Sequence, residues 1–296
     1  YLTWKNDPTT TMTVMWITKQ SDDNDTVHFQ IRDAKSPTWE KQKGSHQKLP
    51  NKKPYLIHKA EIKGLKADTI YTFHVGNKNK TWTFHTMPRD LNQPVRFVTG
   101  GDAYHNSFKK FKTMCQRAAR ENPRFAIIGG DIAYAAEKRG GEENWSKWQE
   151  FFACWSEVMR DKDGCLIPIL TTIGNHEVTG SFSSTAKQAP FYYMFFEKAT
   201  YDMSFGSYLH LTFLDSNHTK KIKGDQTKWL EKTLKNNKNH THRFAIYHVG
   251  AYPSSNRLDS PTNKLLRKHW VPLFEKYKIH ACFESHDHAY KRTFPM

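Results

Sequence analysis

Apolar and polar positions along this chain follow two rhythms, and the change falls near residue 90. Before it, the period is two. Met12, Val14 and Trp16 alternate with polar Thr13 in TTTMTVMWIT, Tyr71, Phe73 and Val75 alternate in IYTFHV, and Trp82 and Phe84 alternate in TWTFHT. A strand sends successive side chains to opposite faces, so this spacing predicts half-buried strands. Asp-Pro, Lys-Gly and Gly-Asn turn signals separate the runs. Short alternating runs between turns predict an antiparallel β-sandwich over residues 1–88. MPRDLNQP follows, and its prolines cannot donate to a sheet ladder, so 89–94 reads as a linker.

From residue 95 onward, apolar runs of strand length alternate with helical stripes. The runs are RFVTGGD, FAIIGGD, LIPILTTIGN, LHLTFLDSN, RFAIYHVG and IHACFESHDH. Phe108, Phe111, Cys115 and Ala118 repeat at helical spacing, as do Trp145, Trp148, Phe152, Trp155 and Met159. Trp229, Leu230 and Leu234 mark a third helix, and Leu266, Trp270, Leu273 and Tyr277 a fourth. Strand-helix alternation predicts α/β layers over residues 95–296, with the aromatic stripes as core. The stop at Met296, directly after the last motif, leads us to expect a domain truncated at its C-terminal end. Tyr1 in place of Met points to a removed leader or a fragment.

Composition changes this picture little. Of 296 residues, 37% are hydrophobic and 14% aromatic, enough for a substantial core. No apolar run approaches the roughly 18 residues of a membrane span. The net charge of +16 is spread over both halves of the chain. A nucleic-acid binder concentrates such charge, so no specific nucleic-acid binding is expected, and modest attraction for anionic substrates is. Cys115, Cys154, Cys165 and Cys282 form no CxxC pair, which argues against a zinc ribbon. Cys154 and Cys282 read as buried small apolar residues.

The chemistry sits where the strands end. Five of the six runs finish in a potential metal ligand: Asp102, Asp131, Asn175, His248, and the pair His286/His288. Singly, each has a plain reading: Gly-Asp as a turn, Asn-His as a cap, His-x-His as a surface pair. Together, in this order, they direct oxygen and nitrogen donors into one crevice at the carboxyl ends of strands.

GGDAY, GGDIAY, GNHE, YHVG and SHDHAY resemble the five blocks of the calcineurin-like metallophosphoesterases. Tyr134, three residues after Asp131, makes GDIAY similar to the corresponding block of purple acid phosphatases. YLTWKNDPTTTMTVMW resembles the sandwich domain that precedes the catalytic domain in plant-type and bacterial members. GLKADTIYTF has the Leu-to-Tyr spacing of a tyrosine corner, which resembles fibronectin type III modules. The resemblance implies a layered α/β/β/α catalytic domain and a dinuclear metal centre. Asp102, Tyr134 and His288 would hold the first metal, Asn175, His248 and His286 the second, and Asp131 would bridge them. The first site is hard and anionic, which suits Fe(III). The second offers two imidazoles and an amide and suits a divalent ion: Zn, Fe or Mn.

The implied activity is hydrolysis of phosphate monoesters, with metal-bound hydroxide as the attacking group. His176 would bind a phosphate oxygen or protonate the leaving group. The alternatives are a phosphodiesterase or nucleotide-directed enzyme of the same fold, and a non-catalytic binding protein. Small phosphorylated compounds are the expected substrates. The resemblance also implies an extracytoplasmic or secreted location, where N-x-T triplets such as Asn24-Asp25-Thr26 would matter. Three departures stand out. Tyr104 and Ser285 occupy positions where glycine is usual. SSNRLD replaces a histidine pair beyond the fourth block, with Asn256 or Arg257 as candidates for its role. His105 is a further candidate at the mouth.

Overall fold

The computed structural model describes residues 1–294 other than 37, 52, 78, 79, 106 and 137–140. The period-two half of the chain folds as eight strands: β1 (Leu2–Thr3), β2 (Met12–Lys19), β3 (Thr26–Ile31), β4 (Glu40–Lys43), β5 (Ser45–Lys48), β6 (Tyr55–Ile62), β7 (Ile70–Val75) and β8 (Trp82–His85). They form two four-stranded sheets, ordered β1-β2-β6-β5 and β4-β3-β7-β8. Val14, Ala60 and Ile62 of one meet Val27, Phe29, Tyr71, Phe73 and Phe84 of the other in a shared core. The chain changes sheet at Gly44, where a Cβ would sit 2.2 Å from the Lys59 carbonyl oxygen, so no side chain fits. Tyr71 closes the corner before β7 by accepting the Lys66 N–H at 2.9 Å.

The second half alternates as expected: β9 (Phe97–Gly100), α1 (Phe108–Arg120), β10 (Phe125–Gly129), α2 (Trp145–Val158), β11 (Ile169–Thr172), α3 (Pro190–Phe196), β12 (Tyr201–Phe205), β13 (Leu209–Phe213), α4 (Asp225–Asn236), β14 (His242–Val249), α5 (Pro261–His269), α6 (Val271–Lys276) and β15 (Ala281–Ser285). The strands form two sheets, β11-β10-β9 and β12-β13-β14-β15, parallel throughout except for the β12–β13 pair.

Alternation along the central strands sets the layers. Ala126 and Ile128 of β10 face Phe111, Cys115 and Trp148 of α1 and α2. Phe125 and Ile127 face Leu211, Phe213 and Ile246 of the opposite sheet. Ala245 and Tyr247 of β14 in turn face Leu230, Leu266 and Trp270 on α4, α5 and the turn into α6. Helix, sheet, sheet, helix is therefore the order of layers.

Two expectations need correction. The stripe Leu266, Trp270, Leu273, Tyr277 is two helices, interrupted at Trp270, because Pro272 can stand only in the first turn of a helix. Cys282 is exposed, since β15 is the edge of its sheet. Among the described residues, no helix is long and apolar enough to cross a membrane.

The sandwich and the α/β layers share one core. Tyr1 stacks on Phe152 of α2 with ring centroids 4.3 Å apart. Trp4 meets Phe125 and Phe205 edge-on at 6.1 and 5.7 Å, one ring from each α/β sheet, and its indole N–H donates to the Thr11 carbonyl at 3.2 Å. Truncating a buried tryptophan costs about 3–5 kcal/mol. Trp4→Ala is therefore expected to lower the stability of the whole chain by that amount. Urea denaturation followed by far-UV circular dichroism should give a single transition at lower midpoint. Two separated transitions would contradict the shared core.

Candidate metal centre

The loops after β9 and β10 are laced together by their backbones. Asp102 N–H donates to Gly130 O at 3.0 Å, Ala103 N–H to Asp131 O at 2.9 Å, and Tyr104 N–H to Ile132 O at 3.1 Å. Five of the seven candidate ligands have left-handed backbones: Asp102, Asp131, Tyr134, His286 and His288, with φ between 48° and 69°. Such conformations are uncommon outside glycine and persist where the surroundings dictate them.

At Asp131 the dictating group is Glu177. Its Oε2 accepts the Asp131 N–H at 2.8 Å and the Gly174 N–H at 2.9 Å, and Oε1 accepts the Ile132 N–H at 2.7 Å. Burial and the nearby Asp131 charge push its pKa up to about 8, while the three N–H donors favour the carboxylate. Sequence reasoning passed over this residue. The signal was there, a carboxylate ending GNHE, but a buried tether has no periodicity to betray it.

The side chains held by these loops form two adjoining donor sets. In the first, Tyr134 Oη lies 3.0 Å from Asp102 Oδ1 and 3.0 Å from His288 Nε2, and His288 Nε2 lies 3.0 Å from Asp102 Oδ1. In the second, His248 Nε2 lies 3.1 Å from Asn175 Oδ1, 3.2 Å from His286 Nδ1 and 3.3 Å from Asp131 Oδ2. The His286 N–H donates to Asp102 Oδ2 at 2.8 Å and ties the two sets together. All seven predicted ligands thus lie in one cluster. Gly130 leaves room for it, since a Cβ there would meet His248 Nδ1 at 2.6 Å.

Proton accounting shows what the second set lacks. His248 Nδ1 faces the Gly129 carbonyl at 2.8 Å, so that nitrogen carries the proton and Nε2 presents a lone pair. Asp131 Oδ1 accepts the His176 N–H at 2.7 Å, while Oδ2 is buried and accepts no hydrogen bond. In a neutral His248 the Nε2 lone pair therefore faces the oxygens of Asn175 and Asp131, with His286 Nδ1 3.2 Å away. Unsatisfied acceptors are costly when buried, and a cation is the group that satisfies them. Burial disfavours a charged ring, yet the Asp131 carboxylate outweighs it and pushes His248 up to about 9, so without a metal a proton on Nε2 supplies that positive charge, and a bound metal would take its place. In the first set, burial and the Asp102 and Asp131 carboxylates push the Tyr134 phenol far above its usual range. Only a strong Lewis acid would take it as phenolate. The donors fit metal ions in both sets.

His176 stands apart. Its ring stacks on Tyr134 at 4.3 Å, its Nε2 is 4.0 Å from Asp131 Oδ2, and its side chain is a third exposed. It faces the mouth beside the donors. His105 packs against Tyr134 and His288 at 4.8 and 4.7 Å on the exposed side. The departures also find physical accounts. Tyr104 turns into the core, stacking on Phe111 and donating to Glu150. Ser285 fills the space over Gly101 and Gly129, where an added Cβ would lie 2.2 and 2.4 Å from its Oγ. Asn256 donates to Asp287 Oδ1 at 2.9 Å and to His286 O at 3.3 Å, bracing the His-x-His turn. Arg257 is exposed, with no side-chain hydrogen bond to the cluster among the described residues. The sixth strand end, after β13, carries Asp215, whose carboxylate accepts the N–H groups of His218, Thr219 and Lys220 and so builds a turn.

Both halves of the chain are similar to known proteins. Residues 1–90 match the family described as purple acid phosphatase, N-terminal domain, and residues 64–290 match the calcineurin-like phosphoesterases. The chain belongs to the calcineurin-like phosphoesterase family and carries a purple acid phosphatase N-terminal domain. It is 25% identical to a purple acid phosphatase of Glycine max, over 95% of this chain and 62% of that protein. It is 22% identical to the Fe(3+)-Zn(2+) purple acid phosphatase 12 of Arabidopsis thaliana, over 95% and 61%. The chain thus spans about three-fifths of the length of these curated relatives. Its fold is similar to the solved structure of PhoD, with a TM-score of 0.61 at 11% identity, over 96% of this chain and 69% of that one.

The geometry sets an expectation for metal content. Asp131 Oδ2 lies 3.3 Å from His248 in the second set and its charge also acts on Tyr134 in the first, whereas Asn175 touches the second set alone. Asp131→Asn is expected to lose metal from both sets, and Asn175→Ala mainly from the His248 set. Metal analysis after dialysis, counting atoms per chain, checks this. Equal losses in the two variants would contradict the shared position of Asp131.

Proposed function

We propose that this chain hydrolyses phosphate esters, monoesters foremost, at a dinuclear centre. Asp102, Tyr134 and His288 would hold Fe(III), Asn175, His248 and His286 a divalent ion, and Asp131 both. The observation that carries the reading is the buried Asp131 Oδ2, unsatisfied among converging lone pairs. The hardness of the Asp102–Tyr134 set favours a trivalent ion there, and the imidazole-rich set favours Zn, Fe(II) or Mn. When bound, the pair of metals supplies Lewis acidity toward a phosphoryl oxygen and toward the attacking water.

The chain's own residues do the rest. Glu177 holds the Asp131 loop so that its carboxylate does not reorganise as charge develops. His176, a third exposed and outside the donor sets, reaches the side from which an ester would enter. It would bind a phosphate oxygen and deliver a proton to the leaving alkoxide. We read residues 1–88 as a fibronectin III-like scaffold, supported by the Tyr71–Lys66 corner, with 89–94 as linker and 95–296 as the catalytic domain. A chelator should abolish turnover of an aryl phosphate, and added metal should restore it. A faster rate on a bis-ester with the same leaving group would reassign the enzyme to diesters.

Two variants test the assignments. Iron-loaded protein should absorb visible light through charge transfer from Tyr134, and Tyr134→Phe should remove the band while circular dichroism stays unchanged. A variant that keeps its colour would exclude Tyr134 as the ligand. His176→Ala should retain its metals yet slow hydrolysis of alkyl phosphates by about 10²–10⁴-fold, the usual contribution of a general acid. With a nitrophenyl ester, whose leaving group hardly needs a proton, the loss should be much smaller. Equal losses on both would leave His176 a phosphate-binding group only.

A further inference from the structure

A second cluster of metal-competent side chains lies in the β-sandwich, away from the centre described above. His46 of β5 and His58 of β6 are cross-strand partners, and Asp25 immediately precedes β3 of the facing sheet. Asp25 Oδ1 lies 2.7 Å from His58 Nδ1 and 2.9 Å from His46 Nδ1, and Oδ2 lies 3.0 Å from His46 Nδ1. His58 is fully buried, stacked on its other cross-strand neighbour Trp16 at 4.9 Å.

The hydrogen atoms can be counted. The Thr18 hydroxyl has one proton to donate and lies 2.8 Å from the Asp22 carbonyl. With the hydroxyl turned to His58 Nε2, 2.6 Å away, the ring accepts there and its Nδ1–H donates to Asp25; with the hydroxyl on the Asp22 carbonyl, Nε2 carries the proton and donates it. A neutral ring then has only a lone pair at Nδ1. That lone pair faces a carboxylate oxygen at 2.7 Å, acceptor against acceptor, at a buried ring. In that second arrangement a metal ion shared with His46 would lie between the two acceptors.

We propose that Asp25, His46 and His58 form a structural site for a zinc-class divalent ion that fastens the two sheets of the sandwich. Two imidazoles and a carboxylate are a borderline donor set that suits zinc. Zinc bonds of 2.0–2.1 Å in tetrahedral geometry hold ligand atoms about 3.3 Å apart. The cluster therefore has to open by a few tenths of an ångström, which the part-exposed His46 side chain permits. Water takes the fourth position. The ion takes His46 as the tautomer with its proton on Nε2 and a free Nδ1 lone pair, and acid, which protonates that nitrogen, weakens binding. The site sits beside the crossing of the chain from β4 to β5, where the Gly44 N–H donates to the Asp25 carbonyl at 3.0 Å. It thus joins β5 and β6 to the start of β3 at a point where the ladders do not.

The test counts zinc and uses no turnover, so it stands or falls separately from the proposed phosphatase activity. The full chain is stripped with chelator, dialysed against zinc at neutral pH and analysed by mass spectrometry of the metal. His46→Ala and Asp25→Asn should each hold one zinc fewer per chain than the wild type. In a His46→Ala protein the part of the zinc-induced rise in melting temperature due to this site should vanish. The difference of one zinc should persist in an Asn175→Ala background, where the other centre is already depleted. Equal zinc in the wild type and both variants would overturn the proposal and leave the three side chains a hydrogen-bonded cluster.

Discussion

The candidate centre depends on one carboxylate that never meets a metal. Glu177 takes three backbone N–H groups from two loops, and in doing so fixes the left-handed turn that presents Asp131. Three backbone hydrogen bonds to one buried side chain leave the loop little freedom. The backbone bridges to Asp102, Ala103 and Tyr104 then carry that order to the neighbouring loop. The bond from His286 to Asp102 carries it to the last. Donors from four distant stretches of sequence share one frame because their main chains, more than their side chains, are tied together.

This order matters to the chemistry. A preorganised set of dipoles and charges performs no rearrangement when the reaction demands it, and enzymes commonly draw more of their rate enhancement from such preorganisation than from any other source. The unsatisfied Asp131 oxygen and the opposed lone pairs around His248 are destabilising until a cation arrives. Strain of this kind gathers at functional sites and is offset by packing elsewhere. The core between the two α/β sheets, extended by Trp4 into the sandwich, is where that offset lies.

Much of this was legible in the sequence. The two rhythms located the sandwich and the α/β layers, because burial of alternating faces leaves a period in any strand with one wet side. Six of the seven candidate donors were legible as strand-end motifs, and Tyr134 entered only through the resemblance of GDIAY. Other features had no signal to read. Polar β4 and β5, EKQK and SHQK, pair at sheet edges through their backbones alone and carry no apolar alternation. Pro272 split one stripe into two helices without disturbing its spacing. Glu177 works through main-chain hydrogen bonds, which no periodicity encodes. Cys282 has the composition of a core strand but the position of an edge, and position is a property of topology.

Trp4 has one more implication. Its ring rests on Phe125 and Phe205, so each α/β sheet completes its hydrophobic face with a residue from the start of the chain. A protein built this way is not modular in the sense that its two rhythms imply. During synthesis Trp4 emerges before Phe125 and Phe205 and waits, partly uncovered, for partners more than a hundred positions later. Recombination that exchanged the sandwich for an unrelated one would bare aromatic rings on both sheets. The two halves are constrained to evolve as one hereditary unit.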